Sequence, residues 1–303
     1  MNYTSQKSLT YNPSLTRNIG NKALTIASAL FAIISVLPLI LVISYVLIKG
    51  GSYINLDTLI LEPEPPGDDL LSAGGIGPAI TGTFIMSVIA SIISIPVGVG
   101  GGIYLAEYSK SGNFAKFIRF GSNVLAGVPS IIAGVFIYAI IVSTKILFGS
   151  MFSGIAGGIS LSILMVPTII KTTDEALKLV PNDMRRAAFG VGASKFTMIT
   201  NITLPAAFSS ISTGVLLALA RAAGETAPLI FTALFSYYYI TGFGDLFYEM
   251  GSLAVLIYNF ALEPYDAQNK LAWAASFILV LSILSVNIFS RILAAFTEKT
   301  KRV

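Results

Sequence analysis

The chain has 303 residues, of which 54% are hydrophobic and only 11% charged, with a formal net charge of +4. A soluble domain carries roughly 25% charged residues, so this composition points to an integral membrane protein. It contains neither cysteine nor histidine, which excludes disulfides, thiolate or iron–sulfur sites, histidine-held haem and Ser–His or Cys–His nucleophilic pairs.

The first 22 residues are polar and form an expected cytoplasmic tail, 1–22. The apolar run after them is too long for a signal core and reads as a retained first span. A span needs about 20 apolar residues. Ala23–Ile48, Pro78–Ala106, Phe120–Thr144, Leu147–Ile170, Pro205–Ser236 and Leu271–Ser290 qualify, giving an all-α polytopic protein of six helices over 23–298 with a short tail, 299–303. Gly251–Ala261 is apolar but too short, so it is expected to be interfacial or re-entrant. With both termini inside, the inner segments hold fifteen Lys and Arg and the outer segments three, Lys49, Lys145 and Lys270. This bias fixes the expected orientation. The outer segments are acidic, with Asp57, Glu62, Glu64, Asp68, Asp69, Asp245, Glu249, Glu263 and Asp266, and Tyr237, Tyr238 and Tyr239 suit an outer aromatic belt. Pro38, Pro96, Pro129, Pro167 and Pro228 fall inside spans, and Gly98, Gly100, Gly101 and Gly102 cluster in the second. Close helix packing and the lining of a path both account for them.

The longest expected inner segment is 171–204. Asn182–Asp183 after Pro181 reads as a helix start, Met184–Phe189 as a short helix, and Gly190 and Gly192 as its end. Such a helix suits either a protein partner or lipid headgroups, which Arg185 and Arg186 favour. No Gly-Lys dipeptide occurs, so there is no phosphate-cradling P-loop. The chain is therefore read as a non-enzyme, and any ATP hydrolysis falls to another polypeptide.

The fifth span carries Arg221 and Glu225 in an otherwise uncharged stretch from Pro205 to Ile240. A charge at the bilayer centre costs about 2.5–3.5 kcal/mol on insertion scales, and such residues persist when they pair or line a cavity. At i and i+4 the two share a helix face. On a continuous helix Arg221 lies about 24 Å from Pro205, with a kink expected where Pro228 removes the bond to the Gly224 carbonyl. The pair is either a self-neutralising salt bridge or an anion site. A guanidinium fork can hold two oxygens of an oxyanion at once, and Glu225 could accept a hydrogen bond from an anion that still carries a proton.

The spacing Arg186-Ala187-Ala188, three residues, Gly192, nine residues, Ile202-Thr203-Leu204-Pro205 resembles the cytoplasmic loop of type I ABC importer permeases, with Arg186 where that family has glutamate. The segment LARAAGETAPLIFTAL, Leu219 to Leu234, resembles the phosphate importer permeases, the PstA subfamily. Lys171-Thr172-Thr173-Asp174 replaces that group's usual Arg-Thr-Thr-Glu. The resemblance implies the MetI-like permease fold in the cell membrane and the permease subunit of an ATP-driven phosphate importer. It also implies a second permease subunit as heterodimer partner, an ABC ATPase dimer and an external phosphate-binding protein, with no cofactor, metal or nucleic acid. Arg185, Arg186, Ala187, Ala188 and Gly192 are then expected to couple to the ATPase, and Arg221, Glu225, Thr226, Lys171 and Asp174 to line the path of inorganic phosphate. The alternatives are an ion-coupled secondary transporter or channel for an anion, or an ABC permease for sulfate or molybdate.

Overall fold

The structure, a computed structural model, describes residues 15–67, 73–109, 112–145 and 152–300. Asp68, Asp69, Lys110 and Leu147, and the polar tails at 1–14 and 301–303, lie outside them. The chain divides into two units, residues 1–48 and 49–303. Helix α1, Leu15–Gly51, occupies most of the first and is long enough to cross a membrane. Its Thr25, Ser28 and Ser35 hydroxyls donate to carbonyls one turn back, which satisfies them without solvent.

The second unit is helical. α2 is Leu56–Ile60 and α3 is Gly77–Ile103, extended by a π-helical turn at Tyr104–Tyr108. α4, Asn113–Gly127, and α5, Ser130–Ile137, follow, the latter with a π-turn at Tyr138–Val142. α6 is Gly154–Lys178, α7 is Asn182–Gly190 and α8 is Lys195–Met198. A third π-turn, Ile199–Thr203, joins α8 to α9, Leu204–Ala223. α10 is Ala227–Thr232, α11 Leu253–Leu262 and α12 Asp266–Thr300.

Helix α6 is the axis of this unit. Its apolar window is 61% buried, against 22–28% for the spans on α3, α9 and α12. Met86 and Ala90 of α3, Leu161, Met165 and Ile169 of α6, and Ala218 and Ala222 of α9 form one buried cluster. Glycine permits this closeness on α3. A Cβ on Gly98 or Gly102 would stand 2.6 Å from Ile169 or 2.4 Å from Thr173, whereas at Gly100 it would meet nothing within 4 Å. Close packing therefore accounts for Gly98 and Gly102.

Among the described residues five single helices are long and apolar enough to span, and there are six spans if α4 and α5 count as one. These two meet at 104°, so the expected straight span Phe120–Thr144 is broken. Proline forces the residue before it out of the helical region, and Val128 is extended at φ −73°, ψ 133° ahead of Pro129, which has no N–H to continue the ladder. The expected continuous span Pro205–Ser236 is broken as well. It begins early, as a rod from Lys195 to Ala223, and stops there. Span four likewise runs past Ile170 to Lys178. The middle of α5 packs on the start of α10, since a Cβ on Gly134 would meet the Pro228 Cα at 2.5 Å. The short apolar helix α11 buries Leu253, Leu256 and Phe260 against Leu271, Ala272 and Ala275 of α12. The Tyr239 hydroxyl donates to the Ile60 carbonyl at 2.6 Å and its N–H to Glu62 at 3.1 Å, tying Tyr239 to the end of α2.

Candidate functional site

Two groups of polar residues stand out, one at each end of the rod formed by α8 and α9. At its far end, α9 closes with Gly224 N–H donating to Arg221 O and Glu225 N–H to Ala222 O, both at 3.2 Å. Pro228 then starts α10 in its first turn, where a missing N–H costs nothing. Arg221 thus sits in the last turn of α9, where the helix dipole favours a cation. Glu225 and Thr226 occupy the break. The pair expected from i, i+4 spacing forms across it, Arg221 Nε to Glu225 Oε1 at 3.4 Å. It is a long, single contact, and it leaves the arginine side chain 55% exposed while Glu225 is 16% exposed. Thr213, Leu217 and Arg221 form an exposed stripe beside the stripe Ala207, Ile211, Gly214, Ala218 and Ala222 that buries against the bundle. More than half of the arginine side chain is therefore open, at the edge of the buried stripe.

Lys171 is exposed on α6 and makes no ion pair among the described residues. A Cβ on Gly214 would touch Thr172, so Lys171 stands near the level of Gly214. That is about 10 Å along the axis from Arg221, seven residues at 1.5 Å each. Asp174 is turned elsewhere. Its carboxylate is 8% exposed and takes Lys178 Nζ at 2.6 Å and Arg119 Nε at 3.3 Å. Arg119 also donates to the Leu105 carbonyl at 2.9 Å, so Asp174 bolts α6 to α4 and to the end of α3.

At the near end of the rod lies α7, the short helix expected between glycines. It ends at Gly190, and Gly192 just beyond it stands at φ +84°, a left-handed position that glycine adopts without strain. Ala188 is buried with Met198 and Ile199 against Ile103, while Arg186 and Ala187 face outward. Arg186 holds Asp183 only loosely, at 3.9 Å with both side chains exposed. Leu179, Phe189, Val191 and Phe196 add an exposed apolar surface around α7.

Arg185 points inward. It gives Nη2 to Glu107 Oε1 at 2.6 Å and Nε to the same oxygen at 3.1 Å. The Leu177 and Val180 carbonyls at the end of α6 accept from it at 2.7 Å each. Glu107, Tyr108 and Arg119, which hold this end together, escape a reading by motif. The available signal was Glu107 itself, a lone carboxylate directly after an apolar run.

The family described as binding-protein-dependent transport system inner membrane component matches residues 98–302. The phosphate transport system permease protein PstA of Yersinia pestis is 42% identical over 237 residues, 78% of this chain and 77% of that one. The PstA protein of Pasteurella multocida is 38% identical over 285 residues, covering 94% and 97%. Among solved structures, a bacterial ABC transporter involved in the import of alginate superposes with a TM-score of 0.61 at 17% identity, covering 93% of this chain and 98% of its own. The inward-facing methionine transporter MetNI gives 0.57 at 17%, covering 74% and 94%. At that identity the likeness establishes the fold, that of an ABC importer permease. With the identity to curated relatives over nearly its whole length, the chain belongs to the PstA family of phosphate transport system permease proteins.

Proposed function

We propose that the chain is the transmembrane permease subunit of an ATP-driven phosphate importer, one half of a permease pair in the cell membrane with both termini cytoplasmic. It has no P-loop and is not itself the ATPase. The observation that carries the reading is the rod Lys195–Ala223. One end adjoins α7, whose exposed face of Arg186, Ala187, Phe189 and Val191 suits the cleft of an ATPase subunit. The other end carries Arg221 beside the break at Glu225. Over its 29 residues the rod spans about 43 Å, more than the roughly 30 Å hydrocarbon core, so movement of α7 reaches the charge pair through continuous helix.

Arg221 is then the anion-binding group. Half-exposed and held by one long contact, it releases Glu225 at little cost and turns its fork to two phosphate oxygens. Glu225 accepts the hydrogen bond of the phosphate proton. Thr226 lines the same break, and Lys171 offers a second positive charge on the way. An external phosphate-binding protein delivers the substrate, and two ATPase subunits drive the α7 end. ATP shifts the permease between inward-open and outward-open states by favouring one of them.

ATP-dependent uptake of labelled phosphate into proteoliposomes, with sulfate as competitor, tests the proposal. Wild type transports phosphate, and an assembled Arg221→Gln complex does not. Normal transport by that variant removes Arg221 from the path, and no phosphate uptake by assembled wild type removes the substrate assignment.

A further inference from the structure

We infer that the π-helical end of α3, Glu107 and Tyr108, is a clamp that grips both sides of the α7 segment, so that α3 moves with it as one body during transport. The inference rests on the proposed function for the direction of the force and on separate geometry for the clamp.

The first jaw is Glu107 with Arg185. The carboxylate side chain is 3% exposed and the guanidinium 12%. Arg185 spends its donors on Glu107 and on the Leu177 and Val180 carbonyls. A buried arginine satisfied on several sides is costly to pull from its partner, because removal leaves an uncompensated charge. The second jaw is the next residue. Lys195 Nζ sits 4.4 Å from the Tyr108 ring centroid, a cation–π contact, and Lys195 begins α8 on the far side of α7. Between the jaws, Ile103 packs on Ala188, Met198 and Ile199. Three independent contacts, one ionic, one cation–π and one apolar, thus join consecutive turns of α3 to α7, α8 and the following π-turn. The π-turn at Tyr104–Tyr108 matters here. A π-turn widens the helix by one residue and is a frequent mark of function. It presents adjacent residues 107 and 108 to two different helices. Arg119 braces the same turn through the Leu105 carbonyl.

The consequence is mechanical. α3 packs closely on α6 through Gly98 and Gly102. A push on α7 therefore reaches the α3–α6 core directly through Glu107, in parallel with the α9 rod. Glu107 and Arg185 are positioning residues for coupling and touch no substrate.

The test uses the whole complex in proteoliposomes, measuring phosphate uptake and ATP hydrolysis stimulated by the binding protein. Glu107→Gln keeps the shape of the side chain and removes its charge. The expected result is uptake per ATP hydrolysed falling about 5- to 150-fold, the span of ordinary coupling energies, while ATP hydrolysis persists. A wild-type ratio in Glu107→Gln overturns the clamp. Lys195→Met removes only the outer jaw, and a smaller fall in the same ratio is expected if Glu107→Gln fails to assemble; no fall overturns the clamp. As a second reading, Tyr108→Cys with Lys195→Cys, in a chain that otherwise lacks cysteine, is bridged by a flexible bis-maleimide. Uptake survives bridging if α3 and α8 move together, and its loss on bridging sinks the inference. Failure of the assembled wild type to take up phosphate refutes the functional reading instead, and the bis-maleimide bridge still judges the clamp: stimulated ATP hydrolysis that survives bridging supports it, and hydrolysis lost on bridging overturns it.

Discussion

Replacing Glu225 with glutamine separates selectivity from stability. The Arg221–Glu225 contact is a single one of 3.4 Å with the arginine 55% exposed, so its loss costs the fold at most about 1 kcal/mol, as for exposed pairs generally. The effect on the substrate is larger. A hydrogen bond to a charged group contributes about 1.5–3 kcal/mol, equivalent to about 10- to 150-fold in discrimination. Glutamine retains an acceptor oxygen but gains an N–H2 donor and loses the negative charge, so it stops disfavouring an anion that has no proton to donate. The expected outcome is that sulfate competes with labelled phosphate at concentrations about 10- to 150-fold lower than in wild type, while the melting midpoint of the detergent-solubilised complex moves by no more than about 4 °C. Unchanged sulfate rejection at normal protein levels would show that the pair is structural. A large loss of thermal stability would show that the exposed geometry is not that of the assembled protein.

Asp174→Asn removes the anion between Lys178 and Arg119; because both cations are partly exposed, the cost is about 1–2 kcal/mol, below that of a fully buried pair. A lower melting midpoint with undiminished uptake per assembled complex is expected, and a stable complex without uptake would return Asp174 to the phosphate path. Gly102→Val drives a Cβ to 2.4 Å from Thr173 and 2.9 Å from the Ile170 carbonyl, overpacking that costs about 1–3 kcal/mol. Gly100→Ala meets nothing within 4 Å and gains up to about 1 kcal/mol of helix propensity, so thermal melts of the two variants should move in opposite directions. The Asp245 carboxyl is held below its usual value of 3.8 by the Thr241 N–H, the Thr241 hydroxyl and the Gly242 N–H. A depressed pKa means that the contribution to loop order is present above 3.8 and is lost as pH falls through the lower folded value. The Thr241 amide resonance, followed from pH 6 downward, should shift with a midpoint below 3.8, and a midpoint at or above it contradicts the loop geometry.

Composition alone determined that the protein is a helical membrane protein, because long uncharged runs have no other stable home. The Pro181-Asn182-Asp183 start and the Gly190 and Gly192 stop located the short helix α7 to within a residue or two at each end, since both are local chemistry. The i, i+4 pairing of Arg221 and Glu225 was equally legible. Pro228 signalled a kink at Gly224, but periodicity and length revealed neither the full stop at Gly224–Thr226 nor the break at Val128–Pro129. A proline within an apolar run is compatible with a kink, a stop or a re-entrant turn, and the choice depends on what accepts the freed backbone; here α5 and α10 meet each other through Gly134 and Pro228. Nor did the sequence separate the two sides of the RRAA segment. Arg185 and Arg186 are adjacent and chemically identical, yet one is buried on Glu107 and the other faces outward. Only the packing of α7 on the end of α3, between residues 78 positions apart in the chain, decides which arginine holds the fold and which is left for a partner.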